Sequence, residues 1–197
     1  MMNRLLISRL SVGLAICILL TSPVAVALSP SGQDEPDQPE ALDRLNGRWK
    51  LDWNQSDSLG PAMKALEVPW LVRQMAGVIA IQIAIEVAPD DCETCSPSLR
   101  IRSKNPIKNT SRVVTLDGVA RPFTDVMGND SMDLFSWHPQ FGMQMVRERV
   151  LNSGKSAKIL ERRTVTDDLS TMISTMTVWV EGEERASVRR ILSKVDH

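Results

Sequence analysis

A strict alternation of branched apolar residues constrains this chain more than any other feature of its sequence. From Ile79 to Val87 every second residue is Ile or Val, and Ala, Gln or Glu stands between them. Because successive side chains of a β-strand point to opposite faces of a sheet, this period of two predicts a strand with one buried face. Similar runs recur toward the C-terminus, so we expect an all-β protein.

Ten segments of this kind are separated by turns rich in Gly, Pro, Asn and Asp. The predicted strands are Gly47–Asn54, Ile79–Val87, Leu99–Lys104, Arg112–Leu116, Val119–Asp125, Met132–Trp137, Met143–Val150, Ile159–Val165, Met172–Val180 and Ala186–Lys194. Short strands that follow one another in sequence indicate an antiparallel meander. A meander of this length must close or split to hide its edges, which predicts a ten-stranded barrel.

The segment between the first two predicted strands has a helical period instead. Leu59, Met63 and Leu66 recur at the spacing of one helix face. Val68-Pro69 is typical of the first turn of a second helix, which Gly77 would end. We expect this helix-turn-helix to lie over the mouth of the barrel as a lid.

The first 27 residues have the organisation of an export signal. Two arginines precede the apolar stretch Leu10–Leu20, and Ala25-Val26-Ala27 supplies the small residues for cleavage after Ala27. Pro23 and this ending favour a cleaved signal peptide over a membrane anchor. The sequence therefore predicts an exported protein, periplasmic or secreted, that functions in an oxidising compartment.

Residues 28–44 are predicted to form a disordered linker, because prolines and acidic residues dominate it and large apolar side chains are nearly missing. The barrel domain then spans residues 45–197. The chain has 23 Lys and Arg against 24 Asp and Glu, without a basic run. This charge offers no footprint for a nucleic-acid backbone, so we exclude nucleic acid as a partner. We expect a monomer.

The sequence contains no recognisable catalytic or metal-binding pattern. Three cysteines and two histidines cannot supply a four-ligand zinc site unless acidic groups join them. His138 has no nearby Ser or Cys nucleophile and precedes Pro139, which favours a turn residue. Cys92 and Cys95 lie in a polar turn, where a disulfide, free thiols and a redox pair stay open; export favours the disulfide. We expect neither catalysis nor a metal nor a cofactor.

Short motifs near both ends of the predicted barrel carry a resemblance to a known family. The opening strand reads Gly47-Arg48-Trp49-Lys50-Leu51, the helical segment contains Met63–Val68 and Arg73–Ala76, and the last strand reads Arg190-Ile191-Leu192-Ser193-Lys194. These motifs resemble those of the intracellular fatty-acid-binding and retinoid-binding proteins of the calycin superfamily, which have Gly where this chain has Glu67. The resemblance implies a ten-stranded barrel with a helical lid around a lipid site, in an exported, lipocalin-like relative.

The resemblance also implies a binding site for a ligand carboxylate and a structural role for a buried tryptophan. In the family, two arginines and a tyrosine inside the barrel hold the ligand carboxylate, and the matching positions are Arg163, Arg190 and Leu192. The tyrosine is missing, and the chain contains no Tyr at all. The Gly-x-Trp motif implies that Trp49 plugs the closed end of the barrel beneath Lys194.

Periodicity alone places Arg190 on the inner face, because it alternates in phase with Val188 and Leu192. Three explanations remain for an inward arginine: a bound anion, an internal ion pair with Glu161, or a position at the rim. Periodicity does not decide whether Arg162 or Arg163 turns inward. It also leaves open which alternate set of Met143–Val150, the arginines or Glu148, lines the interior.

The expected partner is a small hydrophobic or amphipathic ligand, such as a fatty acid, held in the interior. The alternative is a barrel filled by its methionines, which would act as an envelope structural or protein-interaction module. We expect Trp70 of the lid to pack beneath it; the alternatives are that it makes transient contact with a membrane surface or gates the entrance.

Overall fold

A computed structural model describes residues 42–76, 81–88, 96–104, 109–125 and 127–195. The predicted signal peptide 1–27, most of the linker 28–44 and the Cys92–Cys95 pair lie outside these residues. The strands are β1 (Gly47–Asp52), β2 (Gln82–Ala88), β3 (Ser98–Lys104), β4 (Thr110–Thr115), β5 (Arg121–Thr124), β6 (Asp130–His138), β7 (Gly142–Val150), β8 (Ser156–Val165), β9 (Thr171–Val180) and β10 (Glu183–Lys194). The helices are α1 (Gly60–Ala65) and α2 (Trp70–Ala76), between β1 and β2.

The ten strands form one curled antiparallel sheet in the order β4-β3-β2-β1-β10-β9-β8-β7-β6-β5. The first and last strands pair, so that Trp49 lies opposite Lys194, while Ile83 of β2 lies opposite Trp49 on the other side. Within the described residues no ladder joins β4 to β5, which leaves a seam in the barrel wall. The predicted ten-stranded meander with two helices after its first strand is confirmed.

The predicted strands and the observed strands differ slightly at their ends, for local reasons. The first strand stops at Asp52 and not at Asn54, because the Asp52 carboxylate accepts the backbone N–H groups of Asn54 and Gln55 at 2.9 and 3.3 Å. A side chain that binds the backbone two and three residues ahead forms a turn and ends strand pairing.

Trp49 closes one end of the barrel. Its side chain is fully buried, its Nε1–H donates to the carbonyl oxygen of Leu45 at 3.0 Å, and the Lys194 ammonium lies 5.4 Å from the ring centroid. Gly47 has a φ of 144°, which L-residues with a side chain rarely adopt, and this backbone conformation explains the glycine there. Trp49 therefore lies beneath Lys194, as the Gly-x-Trp motif implied.

The turn between the two helices is attached to the barrel at Glu67. This residue adopts a left-handed conformation with φ 56°, which a glycine takes without steric cost. Its carboxylate accepts the Ser153 N–H at 3.0 Å, and this hydrogen bond lowers the pKa of Glu67. Arg149 donates to the neighbouring Leu66 carbonyl at 3.2 Å. Two contacts therefore hold the turn over the β7–β8 end of the barrel.

Helix α2 presents large apolar side chains to solvent. Trp70 and Leu71 are 64% and 63% exposed, and Met75 is also exposed. The expectation that Trp70 packs beneath the lid is therefore wrong, because no described residue covers this side of α2. Neither helix among the described residues is long and apolar enough to cross a bilayer.

Candidate functional site

Strand register decides which arginines face the barrel interior. Arg163 lies between Met143 of β7 and Ser174 of β9, both of which are buried, so its side chain faces inward. Arg162 faces outward, where its guanidinium carbon lies 4.3 Å from the centroid of the Phe141 ring. On β7, by the same register, the arginines face inward and Glu148 faces solvent.

Arg163 belongs to a buried polar cluster with Glu161, Ser174 and Arg190. Nε of Arg163 donates to Oε1 of Glu161 at 2.8 Å, Nη2 of Arg163 forms an ion pair with the same oxygen at 2.8 Å, and the Ser174 hydroxyl donates to it at 2.8 Å. Arg190 joins the cluster because it lies opposite Ser174. Burial by itself raises the pKa of Glu161, but the charge of Arg163, these hydrogen bonds and the charge of Arg190 lower it overall. Glu161 is therefore held as a carboxylate.

Two guanidinium nitrogens of this cluster are buried and lack a hydrogen-bond partner among the described residues. They are Nη1 of Arg163 and Nη2 of Arg190. Burial lowers the pKa of Arg190, and the charge of Glu161 offsets part of that effect. An unpaired buried donor costs about 1–3 kcal/mol, so such donors are rare in native structures unless a ligand or water meets them.

Leu192 occupies the inner face two residues beyond Arg190 and gives no hydrogen bond. It is buried between Leu51 of β1 and Met172 of β9, as an ordinary core residue. The structure therefore brings Arg163 and Arg190 together and places Leu192 beside them without a polar role. A rim position for Arg190 is wrong, and the internal ion pair of Glu161 is formed with Arg163.

A second buried cluster, which the sequence did not reveal, surrounds Asp133 of β6. The carboxylate is only 4% exposed and accepts Nε and Nη2 of Arg147 at 2.7 and 2.6 Å and Nη1 of Arg112 at 3.0 Å. The Phe123 ring centroid lies 4.8 Å from each of the two guanidinium carbons. Burial by itself raises the pKa of Asp133, but the hydrogen bonds and charges of Arg147 and Arg112 lower it overall.

A cavity of about 540 Å³ adjoins both clusters. Its volume lies in the range of roughly 300–1,000 Å³ that is typical of small-molecule pockets. Three arginines and three apolar residues are among the side chains that line it: Arg112, Arg147, Arg163, Ile83, Ile101 and Phe123. The arrangement combines cationic hydrogen-bond donors with apolar surface, which is what an amphipathic anion requires.

The methionines fill other parts of the inner face. Met143, Met145 and Met172 are buried in the core, whereas Met132 faces solvent. The interior is thus partly packed and partly open. His138 ends β6, and its Nδ1 accepts the Gln140 N–H at 3.2 Å, as expected for a turn residue. No group of three His, Cys, Asp or Glu side chains within the described part of the chain could hold a metal ion.

Several solved structures with a similar fold are named as fatty-acid- or lipid-binding proteins, and no protein-family model matches this chain. A Schistosoma mansoni fatty acid binding protein in complex with arachidonic acid is 17% identical, with a TM-score of 0.58, over 79% of this chain and 99% of its own. Caenorhabditis elegans lipid binding protein 8 is 14% identical, with a TM-score of 0.60, over 78% and 96%. The REP1-NXSQ fatty acid transporter is 22% identical, with a TM-score of 0.57, over 78% and 97%. The chain has the fold of the fatty-acid-binding proteins, as its motifs implied.

One curated protein shares a short stretch of sequence with this chain. It is the probable pericyclase scpY of Mollisia scopiformis, which is 41% identical over 49 residues, or 25% of this chain. The match spans about a quarter of that protein, 26% of its length.

Proposed function

We propose that this protein binds a hydrophobic small molecule with an acidic head group inside its barrel, such as a fatty acid or a related lipid. The observation that carries the proposal is the pair of buried, unpartnered guanidinium nitrogens on Arg163 and Arg190. Arg163 also lines the 540 Å³ cavity, so its side chain adjoins the space that an anionic head group would occupy. The similar structures are named as fatty-acid- and lipid-binding proteins, which supports the same class of ligand.

Two different interactions would supply affinity and selectivity. Burial of an alkyl tail gains roughly 0.8 kcal/mol per methylene, before the entropy costs of capture are subtracted. The guanidinium groups would select an acid over a neutral lipid, because charge-assisted hydrogen bonds are the stronger kind. The missing tyrosine is compatible with this selection, since Arg190 keeps a donor that no side chain of the described structure occupies.

Arg190→Gln is expected to weaken fatty-acid binding by roughly tenfold to a hundredfold, because it removes a charged donor from the buried head-group site. The measurement is displacement of a fluorescent fatty acid by oleate. Arg189→Gln is the matched control, since Arg189 is the neighbouring residue and its side chain is exposed. Equal affinities of the two variants would contradict an arginine-bound head group, and the absence of any binding by wild type would contradict the function itself.

We also propose that α2 makes transient contact with membrane surfaces during ligand transfer. The exposed Trp70, Leu71 and Met75 support this, because they place an unburied apolar face on the lid. In the Trp70→Gln, Leu71→Gln double variant, transfer of a fluorescent fatty acid to phosphatidylglycerol vesicles should slow by roughly tenfold. The reason is that both apolar side chains that would insert into the vesicle surface are replaced by polar ones. Val150→Gln, which removes an exposed apolar residue from the barrel wall, should leave the rate unchanged. Equal rates for all three proteins would exclude the contact.

Export with cleavage after Ala27 is part of the same proposal and is supported by the sequence pattern of the first 27 residues. A carrier exported in this way, whether periplasmic or secreted, would deliver its ligand outside the cytoplasm. In that compartment a local Cys92–Cys95 disulfide would be maintained.

A second candidate function is favoured by the 49-residue match to a probable pericyclase. A pericyclic reaction reorganises electrons within one folded substrate and requires no acid, base or nucleophile, so a shaped cavity is sufficient in principle. Solvent extraction of the purified protein, followed by liquid chromatography and mass spectrometry, separates the two candidates. A co-purified fatty acid or lipid supports binding, whereas conversion of an added linear polyene into a cyclic isomer of equal mass supports catalysis.

A further inference from the structure

The inner face of the strands carries more positive than negative charge. Among the described residues, five arginines whose side chains are mostly buried contact or adjoin three carboxylates there. The arginines are Arg112, Arg147, Arg149, Arg163 and Arg190, and the carboxylates are Asp125, Asp133 and Glu161. The interior of the barrel therefore has an excess of two positive charges.

Three of these five arginines line the 540 Å³ cavity, together with one of the carboxylates, Asp125. Arg112 and Arg147 from the Asp133 cluster and Arg163 from the Glu161 cluster line the same space. Burial is the main cause that lowers the pKa of Arg112, and the charges of Arg147 and Arg163 add to it, so the three groups repel one another. A guest in this cavity would meet guanidinium groups from both clusters.

The remaining lining is also more polar than an alkyl chain alone would need. Hydroxyl-bearing residues of β3, β4 and β5 also line the cavity, namely Ser103, Thr110, Ser111 and Thr124. Apolar contact is supplied mainly by Ile83, Ile101 and Phe123. The cavity thus suits a large polar head with a shorter apolar portion against these three side chains.

We propose that the guest carries a head group with two negative charges, either a dicarboxylate or a phosphate monoester, on a hydrophobic tail. This inference rests on the proposed binding of an acidic amphiphile in the barrel. A monoanion leaves one buried positive charge without a counter-charge, and an uncompensated buried charge is costly. A dianion neutralises the interior and can accept hydrogen bonds from both arginine clusters at once.

Three probes of similar tail length, with eleven carbons in the tail of dodecanoate and twelve in the other two, test the proposal by displacement of a fluorescent fatty acid at pH 8. Dodecanoate carries one charge, while dodecylsuccinate and dodecyl phosphate carry two at this pH, since the second phosphate ionisation has a pKa of about 6. We expect at least one dianionic probe to bind roughly tenfold to a hundredfold more tightly than dodecanoate. The better of the two dianions identifies the head group. Dianions that bind no more tightly than dodecanoate overturn the proposal, and failure of all three probes overturns the proposed function with it.

The Arg112→Gln variant tests whether the preference for a dianionic head group arises at this cavity. It removes one excess charge from the cavity but keeps the two hydrogen bonds between Arg147 and Asp133. Affinity for the dianion should fall at least tenfold more than affinity for dodecanoate, and Arg112→Lys should retain most of the preference. Arg185→Gln, on the exposed part of β10, makes the same charge change outside the barrel and should have no effect. Equal weakening of all probes by Arg112→Gln would overturn the assignment, provided that circular dichroism shows a folded variant.

Discussion

Glu161→Gln is expected to lower the free energy of unfolding by about 3–5 kcal/mol at pH 7, which is the usual cost of removing one partner from a buried ion pair. Glu161 accepts hydrogen bonds from Arg163 and Ser174, and its charge also stabilises the buried cation of Arg190. A neutral amide leaves two buried guanidinium groups without a counter-charge. Urea denaturation followed by circular dichroism measures the loss.

The control for this substitution is Glu148→Gln. Glu148 lies on the outer face of β7, where its oxygen is 3.9 Å from the Lys158 ammonium and both side chains are exposed. Exposed pairs of this kind contribute about 0–1 kcal/mol, so the control should unfold almost as wild type does. Equal stabilities of Glu161→Gln and Glu148→Gln would show that the buried cluster does not form in solution.

The pH dependence of stability gives a further test of the same carboxylate. In the folded state the pKa of Glu161 lies below its ordinary value of 4.5, so the unfolded chain binds the proton first as pH falls. The contribution of Glu161 is therefore complete above about pH 4.5 and is lost as pH falls through the lower folded-state value. Wild type should lose stability over this window more steeply than Glu161→Gln in denaturation at pH 7, 5, 4 and 3.

The fold could be predicted from the sequence because period-two alternation is a local property. The alternation within a single strand, such as Ile79–Val87, predicts which of its faces is buried. Strands that follow one another directly in sequence are compatible with only a few sheet topologies. The seam between β4 and β5 could not be predicted, because a strand has the same side-chain pattern whether or not its outer edge is paired. The fate of Trp70 was mispredicted for a related reason: its burial depends on where α2 lies, which the helical period does not specify.

The charged interior was less accessible to sequence reasoning. Arg162 and Arg163 are adjacent on a strand with mixed neighbours, so only the register against Met143 and Ser174 identifies the inward one. The Asp133 cluster was missed because β6 reverses the usual pattern, with Met132 exposed and Asp133 buried. The available signal was the phase of Asp133 with Phe135, which is a buried residue of the same strand. Hydrophobic periodicity is a poor predictor of burial for polar residues whose role would be to bind a ligand in the interior.

Gly142→Ala is expected to destabilise the protein by on the order of 3 kcal/mol, because the substitution combines two unfavourable effects. Gly142 has a φ of 66°, which L-residues with a Cβ rarely adopt. An added Cβ would also overlap the carbonyl oxygen of Arg163 on the neighbouring strand. Backbone atoms within a paired ladder cannot move aside as a flexible side chain would, so β7 or β8 must shift.

Gly154→Ala separates these two effects. Gly154 has a φ of 84°, and nothing lies within 4 Å of the Cβ that alanine would add. This control should cost only about 1–2 kcal/mol, which is the penalty for the left-handed conformation alone. Because the overlap at Gly142 falls on the backbone of Arg163, Gly142→Ala should in addition weaken displacement of the fluorescent fatty acid by oleate, whereas Gly154→Ala should not. Loss of stability at Gly142 with unchanged oleate affinity would argue against a head-group role for Arg163.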